Sequence, residues 1–226
     1  MATNAAIMAD AAALLDDDAN RRYPLRRLRR WLNDATLEVS RRSEALRTKT
    51  TLPTLADTAE VTLPTDVVRL AEVYWQGTGE RVNHPLYYKD HRGARSVWGS
   101  HRDIRVGTPA MFWTAGYPPT LTLSLYPKPS RTGTAEVHYY RTSQPISLAG
   151  QNDQAEVDLP VGWQDLCVQW ICMRARESTR EVGEAERWKA EFGGKLSALI
   201  SASERFIDEP GSMEIDDWYP TFDEVW

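Results

Sequence analysis

Apolar positions repeat at helical spacing near both ends of the chain and alternate in between. Residues 5–17 carry Ile7, Ala11, Leu14 and Leu15 and predict a short helix. Asn20 to Tyr23 interrupt it. Pro24 then suits the first turn of a second helix, where its missing amide hydrogen is not needed. That helix is predicted to run to about Glu44, with Leu25, Leu28, Leu32, Ala35 and Val39 spaced 3, 4, 3, 4. Such a narrow stripe suits packing against other helices. The same spacing places Arg22, Arg26, Arg29 and Arg30 on the opposite side, as a row presented outward.

From about residue 46 the apolar runs shorten, and Pro, Gly and Thr become common. Thr120 to Tyr126 alternates Leu121, Leu123 and Leu125 with Thr and Ser, which predicts a half-buried strand. Thr134 to Arg141 alternates again, with Ala135, Val137 and Tyr139 on one face. Pro127 to Gly133 reads as the turn between them, so the pair is expected to form an antiparallel hairpin. Ala59–Leu63, Arg69–Gln76 and Pro109–Trp113 are weaker strand candidates, and Pro85–Ser100 is a candidate short helix. The stretch 46–158 is thus expected to be a small, mainly antiparallel β unit.

Helical spacing returns after Pro160. Trp163, Leu166, Trp170 and Met173 share a face, with Cys167 and Ile171 beside them. Val182 and Gly183 are expected to break or bend the run. Trp188, Phe192, Leu196, Leu199 and Phe206 then carry a second stripe to about Ile207, with Gly193 and Gly194 weakening its middle. Neither terminal helical segment holds a core of its own. The predicted class is α+β: N- and C-terminal helices packed as a bundle, a small antiparallel β unit inserted between them, and an extended C-terminal arm. The expected divisions are 1–45, 46–158, 159–207 and 208–226. In the arm, Pro210, Gly211 and Pro220 forbid a long helix, yet Trp218, Tyr219, Phe222, Val225 and Trp226 are too apolar for a plain disordered tail. Large aromatics gain only when desolvated, so the arm is expected to lie on a surface, its own body or another chain.

Charge sharpens this picture. A net charge of −5 hides −4 over residues 1–20, +7 over 21–49 and −7 over 206–226. A chain with a basic segment near one end and an acidic arm at the other can attract copies of itself or bind two different partners; two solvated faces are the plainer alternative. No run of about twenty apolar residues spans a membrane. The N-terminus lacks a basic region, and Asp10 and Asp16 to Asp18 interrupt its alanines, so it does not read as a signal peptide. These features predict a soluble protein of a reducing cytoplasm, or one assembled there.

Candidate chemistry is sparse. Cys167 and Cys172 lie five apart, which turns their thiols to different sides of a helix, so both read as small packed residues. His84, His91, His101 and His138 form no ligand spacing. A glycine-rich phosphate loop, GxSxG, HExxH and a Walker lysine do not occur. Asp16 to Asp18 and Asp216 to Asp217 have no neighbouring His or Lys to tune them and read as solvated charge. No enzyme and no cofactor is expected.

The order of features resembles the head-to-tail adaptor proteins of tailed bacteriophages, also called connector or head completion proteins. The resemblance rests on LLDDDANRRYPLRRLRRWLNDA (Leu14 to Ala35), LPTDVVRLAEVYW (Leu63 to Trp75), GTPAMFW (Gly107 to Trp113), LTLSLYPKPSRTGTAEVHYYR (Leu121 to Arg141) and LPVGWQDL (Leu159 to Leu166). It spans about residues 10–205. The chain departs from the pattern at Thr48 to Thr51, where a proline–aspartate start to the β unit is expected, and the arm after 207 lies outside the match. The resemblance implies a structural virion protein at the head–tail interface. It implies a homo-oligomeric ring of twelve copies under the portal protein, which receives a tail or nozzle protein and leaves a channel for genomic DNA. Trp218, Tyr219, Phe222 and Trp226 are then candidate partner anchors, and Arg22, Arg26, Arg29 and Arg30 candidate contacts to carboxylates of the portal or a neighbour, or else to DNA. Two alternatives remain: another neck or tail-completion protein, and a DNA-binding protein using the arginine-rich helix.

Overall fold

Thr3 starts the first helix, α1 (Asn4–Leu14): its hydroxyl accepts the Ala6 amide at 3.2 Å. The computed structural model describes residues 2–89, 105–116 and 120–207, with side chains to residue 202. α1 stops short of the expected residue 17. Asp16 takes a left-handed φ of 53° and the Asp17 amide bonds back to the Ala12 carbonyl at 2.9 Å. Leu14 is consequently 53% exposed, while Leu15 turns into the core.

α2 (Leu25–Ser43) follows Pro24 and ends where Glu44 turns left-handed at φ 50°. Leu28, Leu32, Ala35 and Val39 are fully buried, but Leu25 is 42% exposed, so the apolar stripe begins one turn later than expected. After the β unit come α3 (Val161–Ser178) and α4 (Val182–Ile207). The break between them falls before Val182–Gly183: Arg180 is left-handed at φ 61° and the Glu181 amide reaches the Arg176 carbonyl at 3.0 Å. α4 runs unbroken through Gly193–Gly194. Phe192 and Leu196 are buried, Trp188 and Leu199 are partly buried against them, and the Phe206 side chain lies outside the described residues. One buried cluster takes in Ile7 and Met8 of α1, Leu28, Leu32 and Val39 of α2, Trp163, Leu166 and Ile171 of α3, and Phe192 and Leu196 of α4. Cys167 and Cys172 lie in the same cluster as free thiols, and burial pushes them up to about 12 and about 11. Thiols held protonated in this way are poor nucleophiles and poor metal ligands.

Among the described residues the β unit has two four-stranded sheets and one two-stranded sheet. β1 (Arg47–Thr54), β10 (Gly133–Arg141), β3 (Val67–Gly77) and β4 (His84–Pro85) form one, in that order. β2 (Glu60–Thr62), β8 (Thr122–Tyr126), β7 (Met111–Ala115) and β5 (Tyr87–Tyr88) form the other. Pairing is antiparallel except for β5 with β7 and for the short pair β6 (Val106–Gly107) with β9 (Lys128–Pro129). Val73, Trp75, Ala135, Val137 and Tyr139 of the first sheet and Leu123, Leu125 and Phe112 of the second share a second buried cluster.

Two expectations are corrected here. β8 and β10 are not a hairpin; they belong to different sheets. Pro127 and Pro129 between them have no amide hydrogen to continue a ladder, and Lys128–Pro129 instead pairs with β6. β8 is also not half-buried: Ser124 and Tyr126 on its second face are buried too, Tyr126 beside Trp113. β1 had no apolar signature, because RTKTTLPT offers the core little beyond Leu52 and Thr54. Of the expected helix at Pro85–Ser100, the described start forms β4 and β5, and residues 90–100 lie outside the described residues.

Candidate interaction surface

Asp17 shapes the turn that presents the arginines. Its carboxylate accepts the backbone amides of Arg21 at 2.9 Å, Arg22 at 3.1 Å and Tyr23 at 2.8 Å. Burial pushes this carboxyl up, but the three amides and the nearby Arg22 charge hold it below the usual range. Asp17 is therefore a buried scaffold of the turn and not solvated charge, whereas Asp16 and Asp18 are exposed as expected. Tyr23, held by this turn, is buried, and its ring meets Trp31 at 5.8 Å.

The row of four arginines does not survive as a row. Arg22 precedes α2, is half exposed, and pairs with Glu181 at 2.8 Å. Arg29 is turned inward with a side chain only 13% exposed. It grips Asp153 through Nε–Oδ1 at 2.9 Å and Nη2–Oδ2 at 2.5 Å, and donates to the Leu148 carbonyl at 3.3 Å. The reason is helical arithmetic: Arg29 lies about 60° from Leu32 on the wheel, at the border of the buried stripe, while Arg26 and Arg30 stand about 120° and about 160° from Leu32. Arg26 and Arg30 are exposed, and neither has an ion pair among the described residues. Arg27, also exposed, lies over Trp31 at 5.8 Å. The outward basic face is thus Arg26, Arg27 and Arg30, with Arg21 at its start.

Arg29 belongs to a second stripe that the sequence did not reveal. Asn33 donates to the Ile146 carbonyl at 2.9 Å and accepts its amide at 2.6 Å, and Ser40 Oγ accepts the Ser143 amide at 3.1 Å. Arg29, Asn33 and Ser40 together fasten the chain that follows β10 along α2, where Ile146, Val157 and Leu159 enter the helical cluster. Arg141 and Asp158 clamp both ends of that strap, at 2.6 Å and 2.8 Å, and Asp158 also accepts the Gln144 amide at 2.7 Å. Gly150 sits inside it at φ +85°, and a Cβ there would lie 2.5 Å from Arg29 Nη2. The start of α1 closes the far side: the Asn4 and Ala5 amides donate to the carbonyls of Ala155 and Asp153 at 3.0 and 2.8 Å.

The carboxyls of Asp153 and Asp158 are also held low, the first by Arg29 and the second by Arg141 and the Gln144 amide against the upward push of burial. A carboxylate whose folded pKa is depressed adds stability above its unfolded pKa and loses it as pH falls through the folded value. The thermal midpoint is therefore expected to fall steadily from about pH 5 to about pH 3. In Asp17→Asn and Asp158→Asn the midpoint should start lower at pH 7 and fall less over that window, as read by calorimetry. Variants with undiminished acid sensitivity would remove these carboxylates from the account.

Between α1 and the start of α2 lies an open groove of about 320 Å³ lined by Ala5, Met8, Ala9, Ala12, Asp18, Asn20, Leu25, Asp153 and Gln154. The side-chain oxygen of Asn20 is itself buried, sealed from the groove, and has no hydrogen-bond partner among the described residues. Trp218, Tyr219, Phe222 and Trp226 lie outside the described residues. Among the described residues no three His, Cys, Asp or Glu side chains gather as a metal site, and no helix is long and apolar enough to cross a membrane.

No curated protein matches the chain. A family model does: residues 2–213 match the SU10 adaptor protein family. That match covers nearly the whole α+β fold and the face built by α1 and α2. The chain belongs to the SU10 adaptor protein family of phage head–tail adaptors, and is a structural component of the virion rather than a member of an enzyme family.

Proposed function

We propose that the chain forms a ring, of twelve copies, that joins the portal protein of a filled capsid to a tail or nozzle protein and leaves a channel for genomic DNA. The family match supports this reading, and the charge layout carries it further. Arg26, Arg27 and Arg30 face outward on α2, and the segment 206–226 holds seven acids and no base. A ring closes through heterologous contacts, in which one face of each copy meets a different face of the next, and faces of opposite sign suit that geometry. Assembly takes place in the host cytoplasm, and neither a cofactor nor a catalytic group is part of the reading.

In this reading the four helices form one bundle with the β unit inserted. The shared cluster of Ile7, Leu28, Leu166 and Phe192 supports it. The working divisions are 1–45, 46–158, 159–207 and 208–226. Partner contacts are assigned to Trp218, Tyr219, Phe222 and Trp226 of the arm and to Arg22, Arg26 and Arg30. Arg29 serves inside the chain, on Asp153. A channel for moving DNA should not grip phosphate, so the outward arginines are expected to meet protein carboxylates. Exposed Arg26 and Arg30 also keep the DNA-binding alternative open. A filter-binding salt series separates the two, because steep salt loss that flattens in R26A and R30A favours DNA.

Phage that lack this chain are expected to accumulate packaged heads without tails, and supplying the chain should restore joining. Heads that acquire tails normally without it would overturn the proposal, and a six-fold position within the tail would move the chain to a tail-completion role.

A further inference from the structure

β1 is left with one side bare. It stands at the outside of the order β1, β10, β3, β4, and among the described residues no strand lies beyond it. The Arg141 amide donates to the Leu46 carbonyl at 3.0 Å, and from there Arg47 faces Tyr140 and the antiparallel register runs unbroken to Thr54. Antiparallel pairing alternates, so Thr48, Thr50 and Leu52 exchange backbone bonds with β10. The amides of Arg47, Lys49 and Thr51, and the carbonyls of those residues and of Pro53, point away from it. Among the described residues these outward groups have no hydrogen-bond partner. β1 is eight residues long, whereas β2, β4 and β5, the other outer strands of the four-stranded sheets, have two or three. A bare edge of this length is a template for another strand.

We propose that the outer edge of β1 on one copy takes up residues 213–219 of the adjoining copy's arm as an added strand, with Glu214 and Asp216 beside Arg47 and Lys49. This deepens the ring reading and rests on it. Charge and spacing choose the occupant. Arg47 and Lys49 stand two apart on the sheet face away from the core, half or more exposed, resting on Glu72 at 3.0 Å and Glu136 at 3.5 Å. Exposed pairs of this kind hold weakly, and each cation keeps donors for a second carboxylate. A second β1 would bring these cations against their own kind and close two copies as a pair instead of a ring. β2, β4 and β5 are too short to cover the edge. Between Pro210 and Pro220 the arm carries Glu214, Asp216 and Asp217, no base, and the strand formers Ile215, Trp218 and Tyr219. Glu214 and Asp216 are also two apart, and alternation puts Met213 and Ile215 on the other face, beside Thr48, Thr50 and the partly buried Leu52.

Position agrees with this choice. Arg22 on Glu181, and the Tyr23 hydroxyl on the Ala175 carbonyl at 3.5 Å, mark one end of the helices. Lys195 on Asp165 at 2.8 Å turns the second half of α4 toward the other end, where α2 stops at Ser43 and β1 starts at Arg47. The arm therefore leaves the helices at the end that bears β1. Met213 is six residues beyond Ile207, a reach of about 20 Å. Each copy in a ring offers one bare edge and one arm, and exchanging them around the circle satisfies both.

Rings assembled on portal-bearing capsids from equal amounts of normal and 15N-labelled full-length chain test the assignment. Carbodiimide treatment and peptide mapping should join Lys49 of one isotopic form to Glu214 or Asp216 of the other. Amide hydrogen exchange, read residue by residue, should slow about tenfold on assembly at Arg47, Lys49 and Thr51 and change little at Thr48, Thr50 and Leu52. That alternation is the mark of an added strand, and simple coverage would not produce it. R47E/K49E should cut ring yield roughly tenfold, and E214K/D216K in the same chain should restore it. Thr51→Pro removes one outward amide and no bond to β10, so it should weaken assembly at an unchanged melting midpoint. If the midpoint falls, the charge reversal and its rescue decide. Lys49 joined to arm acids of its own chain or to the portal protein, or rings whose three outward amides exchange as in the free chain, overturn the edge assignment and leave the ring intact. Failure of the unaltered chain to form any ring on the capsids overturns the ring reading itself.

Discussion

A chain ending at Ile207 keeps its fold and loses assembly on portal-bearing capsids. The described core residues all precede the cut: the last members of the helical cluster and its packed margin are Leu196, Leu199 and Ile200. Removing 208–226 therefore takes away seven acids and the aromatics Trp218, Tyr219, Phe222 and Trp226 without opening either core. Aromatic anchors in desolvated pockets contribute about 2 kcal/mol or more each. Two such anchors per contact correspond to a loss of roughly a thousandfold in affinity. Thermal melting separates the two effects: the midpoint should stay close to that of the full chain while co-sedimentation with capsids disappears. Undiminished assembly of the truncated chain would discard the arm as an anchor.

Trp75→Ala should cost about 3–5 kcal/mol of stability, the largest single effect expected from the β unit. Trp75 is fully buried between the two sheets, and its Nε1–H donates to Thr54 Oγ1 at 3.0 Å. Truncation removes both the indole volume and the donor, so the buried Thr54 hydroxyl is left without that partner. Trp75→Phe restores much of the volume and isolates the hydrogen bond. Gly77→Ala should also destabilise, since a Cβ there would lie 2.9 Å from the Trp75 ring. Urea titration of the three variants measures the series. A Trp75→Ala cost below about 1 kcal/mol would show that this cluster is not the core of the unit.

The helices were legible because burial demands a period. Leu28, Leu32, Ala35 and Val39 stand fully buried where their spacing puts them, and Ala135, Val137 and Tyr139 line one face of β10 as their alternation requires. Pairing was not legible, because alternation marks a strand without naming its neighbour. The run from Leu121 to Arg141 looked like a hairpin, yet Pro127 and Pro129 send its two strands to different sheets. Long-range polar partners were equally hidden. Arg29 looked like a member of an outward row until Asp153, 124 residues away, took its guanidinium. Asp17 looked like one acid among three until its carboxylate closed on three backbone amides. In each case the deciding group is distant in sequence or is backbone, and neither leaves a mark on residue periodicity. What the sequence did disclose about the candidate interaction segments was their sign: basic over residues 21–49 and acidic beyond residue 206.

Electron-microscopic class averages of the purified chain mixed with its portal test whether a lone copy is an unfinished object. The account predicts a closed ring in register with the portal, twelve-fold, with each terminal ribbon crossing onto the adjoining molecule. Single bodies with that ribbon folded home, and bare portals beside them, would contradict it.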